Sequence, residues 1–349
     1  MKSTNDPCIY VASDREMIVG VYVDDIIIAG RTEKELVDFK VALGKRFDVK
    51  DLGRLHYFLG MKFIHDNSSS DVWMGQPAYI DKVLEKFGMK DAKSVATPVD
   101  SSVKLVKCEE EEEKIDQGMY QSCIGSLLYL STGTRPDITF AVSNVAKFCS
   151  DPTKRHWIGV KRILRYLKGT SDLGLLYTGA GDLSDCFGYS DSDWAGDLDD
   201  RKSTSGYIFM LCGAGISWRS KKQTSVALST AEAEYVALSG AVQEAIWLRQ
   251  LYSELSSGEI LTRAMIINED NQSAISLAKN PQFHGRAKHI DIRHHFIREK
   301  IGDGTVELNY CRTDDMVADI LTKGLCSVNF EKLRKKAGVA PIPTHFTLK

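Results

Sequence analysis

Over residues 1–66 short apolar runs alternate with polar turns, a pattern that predicts strands with one helix among them. Asn67-Ser68-Ser69-Ser70-Asp71 reads as a turn between two strand-like pieces. From 76 to 175 the apolar spacing lengthens to three and four residues, the helical period. Helices are predicted over 77–87, opened by Pro77, and over 121–132, 137–149 and 152–168. The Gly-rich strip 178–182 marks a domain boundary. Beyond it, strands are predicted near 186–190, 205–212, 214–219, 264–268 and 305–311, with a long helix over 230–255. That helix starts at a capping box, Ser229-Thr230-Ala231-Glu232, and carries Val236, Leu238, Val242, Ile246 and Leu251 as an apolar stripe. The segment after about Phe330 is basic, then proline-containing, and is expected to be loose. No internal repeat is visible.

Composition narrows the class. A length of 349 residues suggests two domains at roughly 150 residues each. With 43 % hydrophobic and 26 % charged residues, collagen-like, mucin-like and largely disordered chains are excluded. No stretch of about 18 apolar residues occurs, so no membrane span is expected. The first ten residues hold no apolar signal core, so secretion is not expected either. The eight cysteines never form C-x-x-C, which suits free thiols of an intracellular protein, in the cytoplasm or the nucleus. Basic residues number 45 and acidic 47, so contact with nucleic acid has to come from local patches.

Two sets of acids interrupt this pattern. Val19 to Gly30 is an apolar strand run broken by Asp24-Asp25. Burying unpaired carboxylates there is costly. A hairpin tip that presents both acids to a hard cation resolves the cost, and so does a plain polar turn. Four more acids fall at element ends: Asp191, Glu234, Asp270 and Asp319. Singly, each is also an ordinary helix-start or surface acid. Together on one sheet edge they repel, unless divalent cations neutralise them. A pair of ions about 3.5–4 Å apart does so and can run phosphodiester hydrolysis.

Tyr22-Val23-Asp24-Asp25 resembles the Y-x-D-D box of reverse transcriptases, and the surrounding text resembles Ty1/copia-type retrotransposon polyproteins. Asp51 to Met61 is similar to the segment after that box, where the primer end is gripped. The stretch 120–130 and Arg135-Pro136-Asp137-Ile138 are similar to the link between polymerase and ribonuclease H. Tyr189 to Asp197, Ser229 to Leu238, Glu269 to Ala274 and Val317 to Lys323 resemble the copia ribonuclease H domain. One departure is Asn268-Glu269, where relatives usually carry an aromatic residue and a cysteine. It adds a charge beside the site.

The resemblance implies an α/β (α+β) fold. A truncated palm is expected over 1–75, a mostly helical thumb and connection over 76–178, a ribonuclease H-like mixed five-stranded sheet flanked by helices over 185–326, and a flexible tail over 327–349. It implies hydrolysis of RNA in RNA·DNA hybrids with two Mg²⁺ or Mn²⁺ ions. Asp191 would bridge both ions, with Glu234 and Asp270 on one and Asp319 on the other. Glu232 is assigned to the cap instead. The polymerase acids would be Asp24 and Asp25. Only 23 residues precede Asp24, without a third metal-binding aspartate on an earlier strand or a fingers module. The chain alone is therefore expected to be a weak or inactive polymerase, with an upstream polymerase segment or other element proteins as partners. The residues 1–66 are expected to expose apolar edge. Reverse transcription within a longer polyprotein, and a non-catalytic nucleic-acid-binding remnant, are the alternatives.

Three basic clusters could neutralise backbone phosphates, or be solvated faces. They are Lys154, Arg155, Lys161, Arg162, Arg165 and Lys168; then Arg219, Lys221 and Lys222; then Arg286 and Lys288 with Arg293, Arg298 and Lys300. His284, His289, His294 and His295 fit no usual zinc spacing.

Overall fold

The structure is a computed structural model. It describes residues 1–13, 17–66, 68–107, 112–180, 185–256, 263–279, 288–344 and 346, except the side chains of 288–292 and 294. Strands β1 (Ile9–Val11), β2 (Met17–Tyr22) and β3 (Asp25–Gly30) form an antiparallel sheet, followed by helix α1 (Glu33–Gly44). Thr32 and Glu35 cap α1 reciprocally, yet the helix buries none of its residues. Tyr22, Val23, Val37, Val41 and Phe47 are exposed. This N-terminal unit thus shows apolar surface.

The second sheet joins distant segments. It contains β4 (Tyr57–Phe58), β5 (Met61–His65) and β6 (Val72–Gly75), and later β7 (Leu173–Tyr177) and β13 (Val339–Pro341), in the order β13-β7-β6-β5-β4. Trp73 on β6 is fully buried and donates its indole N–H to the Ala340 carbonyl at 3.0 Å. This pairing crosses the expected boundaries at 75 and 178. It also corrects the expected loose tail. Residues 327–341 hold helix α9 (Ser327–Lys336) and strand β13, pinned by buried Phe330, Leu333 and Val339. Partners so far away in sequence cannot be read from local periodicity.

Between these strands lie helices α2 (Pro77–Lys86), α3 (Gln117–Gly133), α4 (Thr139–Ala146) and α5 (Lys154–Lys168). A buried ion pair ties the α3–α4 link to α5. Arg135 donates to both oxygens of Asp137 at 2.9 and 2.8 Å and to the Thr170 carbonyl at 2.9 Å. The Tyr166 hydroxyl donates to Asp137 at 2.6 Å. Burying two charges is tolerable only when such hydrogen bonds compensate them.

The third sheet has strands β8 (Phe187–Asp193), β9 (Thr204–Leu211), β10 (Ala214–Lys222), β11 (Met265–Glu269) and β12 (Val306–Tyr310). Its order is β10-β9-β8-β11-β12. Strands β8, β9 and β10 pair antiparallel with one another, whereas β11 is parallel to both β8 and β12. This is a mixed five-stranded sheet flanked by helices, the architecture expected after residue 185. Helix α6 (Thr230–Leu255) covers one face with Tyr235, Leu238, Val242 and Leu248 against Phe209 and Ile267. Helices α7 (Gln272–Lys279) and α8 (Lys288–Gly302) extend that layer. The other face, through Ile208 and Met210, shares one core with α2–α5, the 3-10 turn Val317–Leu321 and α9. The chain is therefore mixed α/β, with the third sheet held between two helical layers. Among the described residues no helix is long and apolar enough to cross a membrane.

Candidate metal and nucleic-acid site

The parallel pairing of β8 and β11 builds the site. Asn268 lies opposite Tyr189, so two residues further on Asp270 comes level with Asp191. Glu234 comes from the start of α6. One carboxylate oxygen from each of Asp191, Glu234 and Asp270 lies within 4.8 Å of the others. Glu232 plays the other part. Its N–H donates to the Ser229 hydroxyl at 3.2 Å, and its carboxylate accepts from the Leu228 N–H at 3.0 Å. The return contact of the cap thus falls one residue before the N-cap.

Asp319 arrives on the 3-10 turn Val317–Leu321, which packs on β8 and β9. It stands outside the three-carboxylate group, against the Asp191 side chain, and Lys323 contacts both acids. The ammonium is 2.8 Å from Asp319 Oδ1 and 3.6 Å from Asp191 Oδ1. The buried Thr322 hydroxyl donates to Asp191 Oδ2. Asp270 Oδ2 accepts from the Thr313 hydroxyl at 2.7 Å.

The electrostatics follow from crowding in a dry place. Burial pushes the carboxyl of Asp191 up, while Lys323 and Thr322 work against that shift. Burial, then Asp191, raises Glu234 and Asp319. Burial also works against the Lys323 ammonium, yet Asp191 and Asp319 hold its pKa above the usual lysine range. Glu269 lies at the end of β11 and is wholly buried, and burial lifts its pKa well above the carboxylate range. Its Oε2 and the Oε2 of Glu234 have no hydrogen-bond partner. Three converging carboxylates with an unpartnered buried oxygen form a hard donor set that fits Mg²⁺ or Mn²⁺.

Glu269 is the extra charge expected beside the site, whereas Thr322 and Lys323 are site neighbours that pattern reading did not assign. The i,i+4 spacing of Asp319 and Lys323 was a usable signal.

Asp24 and Asp25 sit elsewhere, exposed at the tip of the β2–β3 hairpin, where Val23 has φ 53°. Asp6 caps its own turn through the Cys8 N–H at 2.8 Å, and Asp14 lies outside the described residues. Among the described residues no third acid joins the hairpin pair.

The basic helix α5 is largely spoken for. Lys154 pairs with Glu113 at 2.7 Å, Arg155 with Glu112, and Arg162 with Asp100 at 2.9 Å. Arg165 donates to the Lys93 carbonyl at 2.7 Å. The acidic run thus neutralises part of the expected phosphate-binding face. Lys161 is half-buried and Lys168 exposed. On β10, Arg219 and Lys221 are exposed, while Lys222 bridges Asp197 at 2.7 Å and Asp200 at 2.8 Å. Arg286 and the Lys288 side chain lie outside the described residues, as do the side chains of His284, His289 and His294.

Residues 2–101 match the family described as reverse transcriptase (RNA-dependent DNA polymerase). The chain is 42 % identical over 347 residues to the retrovirus-related Pol polyprotein from transposon TNT 1-94 of Nicotiana tabacum, covering 97 % of this chain and 26 % of that protein. It is 40 % identical to the Pol polyprotein from transposon RE1 of Arabidopsis thaliana, covering 98 % and 23 %. The putative transposon Ty5-1 protein YCL074W of Saccharomyces cerevisiae is 34 % identical over 70 % of this chain and 76 % of its own length. The chain thus spans about a quarter of the long Pol relatives it matches. Among solved structures, a foamy viral protease-reverse transcriptase in complex with RNA/DNA hybrid aligns at TM-score 0.49 and 16 % identity, covering 84 % of this chain and 36 % of that one. LC11-RNase H1 in complex with RNA/DNA hybrid aligns at TM-score 0.30 and 12 % identity, covering 40 % and 94 %. With relatives matched at this identity and coverage, the chain belongs to the Ty1/copia-type retrotransposon Pol family.

Proposed function

We propose that the chain hydrolyses the RNA strand of RNA·DNA hybrids at the acid cluster, using Mg²⁺ or Mn²⁺. The observation that carries this reading is the convergence of Asp191, Glu234 and Asp270 from three distant segments to within 4.8 Å. Asp191, Glu234 and Asp270 would hold one ion, and Asp191 with Asp319 a second. Such ions, when bound, supply activation of water and stabilisation of charge on the phosphate.

The chain's own residues supply placement. The parallel β8–β11 register fixes Asp191 beside Asp270. The Thr322 and Thr313 hydroxyls each occupy one carboxylate oxygen, orienting Asp191 and Asp270. Arg219, Lys221 and Lys168 remain exposed for backbone phosphates. Preference for RNA would come from contacts to the 2′-hydroxyl and the groove shape of the hybrid.

The test is cleavage of a labelled RNA·DNA hybrid with Mg²⁺, with EDTA, and by Asp191→Asn, beside RNA and DNA duplex controls. Cleavage of the hybrid that EDTA and Asp191→Asn abolish, with circular dichroism unchanged, is the expected result. Full activity in the variant sinks the assignment. The loss should reach at least about 100-fold, since even outer-shell changes at metal sites cost up to that much.

The reverse-transcriptase match over 2–101 favours a second reading, RNA-directed DNA synthesis by a longer polypeptide that includes this sequence. Primer extension by the chain with and without an added upstream polymerase segment tests it.

A further inference from the structure

The acid cluster already contains a cation that belongs to the chain. Lys323 Nζ lies 2.8 Å from Asp319 Oδ1 and 3.6 Å from Asp191 Oδ1. Its backbone is fixed: the N–H of Lys323 donates to the Asp319 carbonyl at 3.2 Å, and neighbouring Thr322 is fully buried against Asp191. Its side chain is 35 % exposed, against 1 % for Asp191. The ammonium can therefore leave the two acids for water without disturbing the core. Glu234 has no ion pair among the described residues, and its Oε2 has no hydrogen-bond partner. The cluster thus has two unlike halves, one open to a hard cation and one holding an ammonium.

We propose that Lys323 is a positioning residue that stands in for a second divalent cation between Asp191 and Asp319. The site then binds one divalent ion tightly, through Asp191, Glu234 and Asp270, and a second only by displacing the ammonium. A dication placed between Asp191 and Asp319 would meet a like charge within a few ångströms, where a poorly hydrated setting screens little. The lysine also keeps Asp319 turned toward Asp191 while the second position lacks an ion. The proposal rests on the nuclease reading only in that both require divalent ions at this cluster.

Manganese titration of the metal-free full chain by calorimetry and electron paramagnetic resonance tests it, since neither readout needs turnover. The wild type should bind one Mn²⁺ per chain tightly and a second at least about tenfold more weakly, a step typical of changes around metal ligands. Lys323→Met should bring the two affinities together. Acetylation of Lys323 in the wild type, followed by mass spectrometry, checks the same idea without a variant. Labelling should speed up over the Mn²⁺ range in which the second ion binds. Two ions of equal affinity in both proteins, or labelling that Mn²⁺ leaves unchanged, overturns the role of Lys323 and leaves the nuclease reading standing. No Mn²⁺ bound by either protein overturns both.

Discussion

Asp191 and Gly206 face each other across the antiparallel strands β8 and β9, and the bare Cα of Gly206 is what admits the turn carrying Asp319. A Cβ there would lie 2.7 Å from Thr322 Cγ2 and 2.8 Å from Leu321 Cβ. Both contacts are tighter than packed carbons tolerate. The turn therefore approaches the strand only because residue 206 has no side chain.

Gly206→Ala should push the 317–321 turn outward and separate Asp319 from Asp191. The expected cost is about 1–3 kcal/mol of stability, as for other overpacked sites. Hybrid cleavage should fall while tight binding of the first Mn²⁺ persists. Urea unfolding and ion titration of the same preparation check both parts; unchanged stability and cleavage would show that the turn has room to spare.

Glu269 makes the folded state sensitive to alkali. Its folded-state pKa is raised by burial, whereas the unfolded chain loses that proton near pH about 4.3. A raised carboxyl favours folding below the unfolded pKa, and that contribution is lost as pH rises. Glu269→Gln should therefore gain roughly 1–3 kcal/mol over the wild type near pH about 8, the usual cost of a buried unsatisfied group. Near pH about 4 the gain should vanish. Chemical denaturation in EDTA at both pH values measures it, and a gain independent of pH counts against a buried ionising carboxyl.

Ion affinity should climb with pH. Burial raises Asp191, Glu234 and Asp319, so protons compete with the ion for these oxygens. Apparent Mn²⁺ affinity should rise by up to about tenfold per pH unit for each proton released. Titrations at constant ionic strength between about pH 6 and pH 8 read this slope, and a flat profile contradicts the raised values.

The Arg135–Asp137 pair should punish one-sided change. Arg135→Met leaves Asp137 buried without its bidentate partner, at a cost of about 3–5 kcal/mol. Arg135→Met with Asp137→Leu should cost less than Arg135→Met alone. A double-mutant cycle followed by thermal unfolding decides.

Local pattern already contained most of the elements. The 3.6-residue period and the Ser229 cap predict the helix seen over Thr230–Leu255, and the strand runs match β8 to β12 within a few residues. The acid-bearing motifs were legible too, because each lies in or directly beside such an element. Tertiary structure alone decided what those acids meet. The pairing of β6, β7 and β13 joins segments more than 100 residues apart, and no local period records it. The pairing of Lys154 and Arg155 at the start of α5 with Glu113 and Glu112, and the approach of Lys323 to Asp191, likewise depend on chain reversal. Periodicity reports which face of an element is buried; the field at a carboxylate is set by whichever distant charges the packed chain brings within a few ångströms.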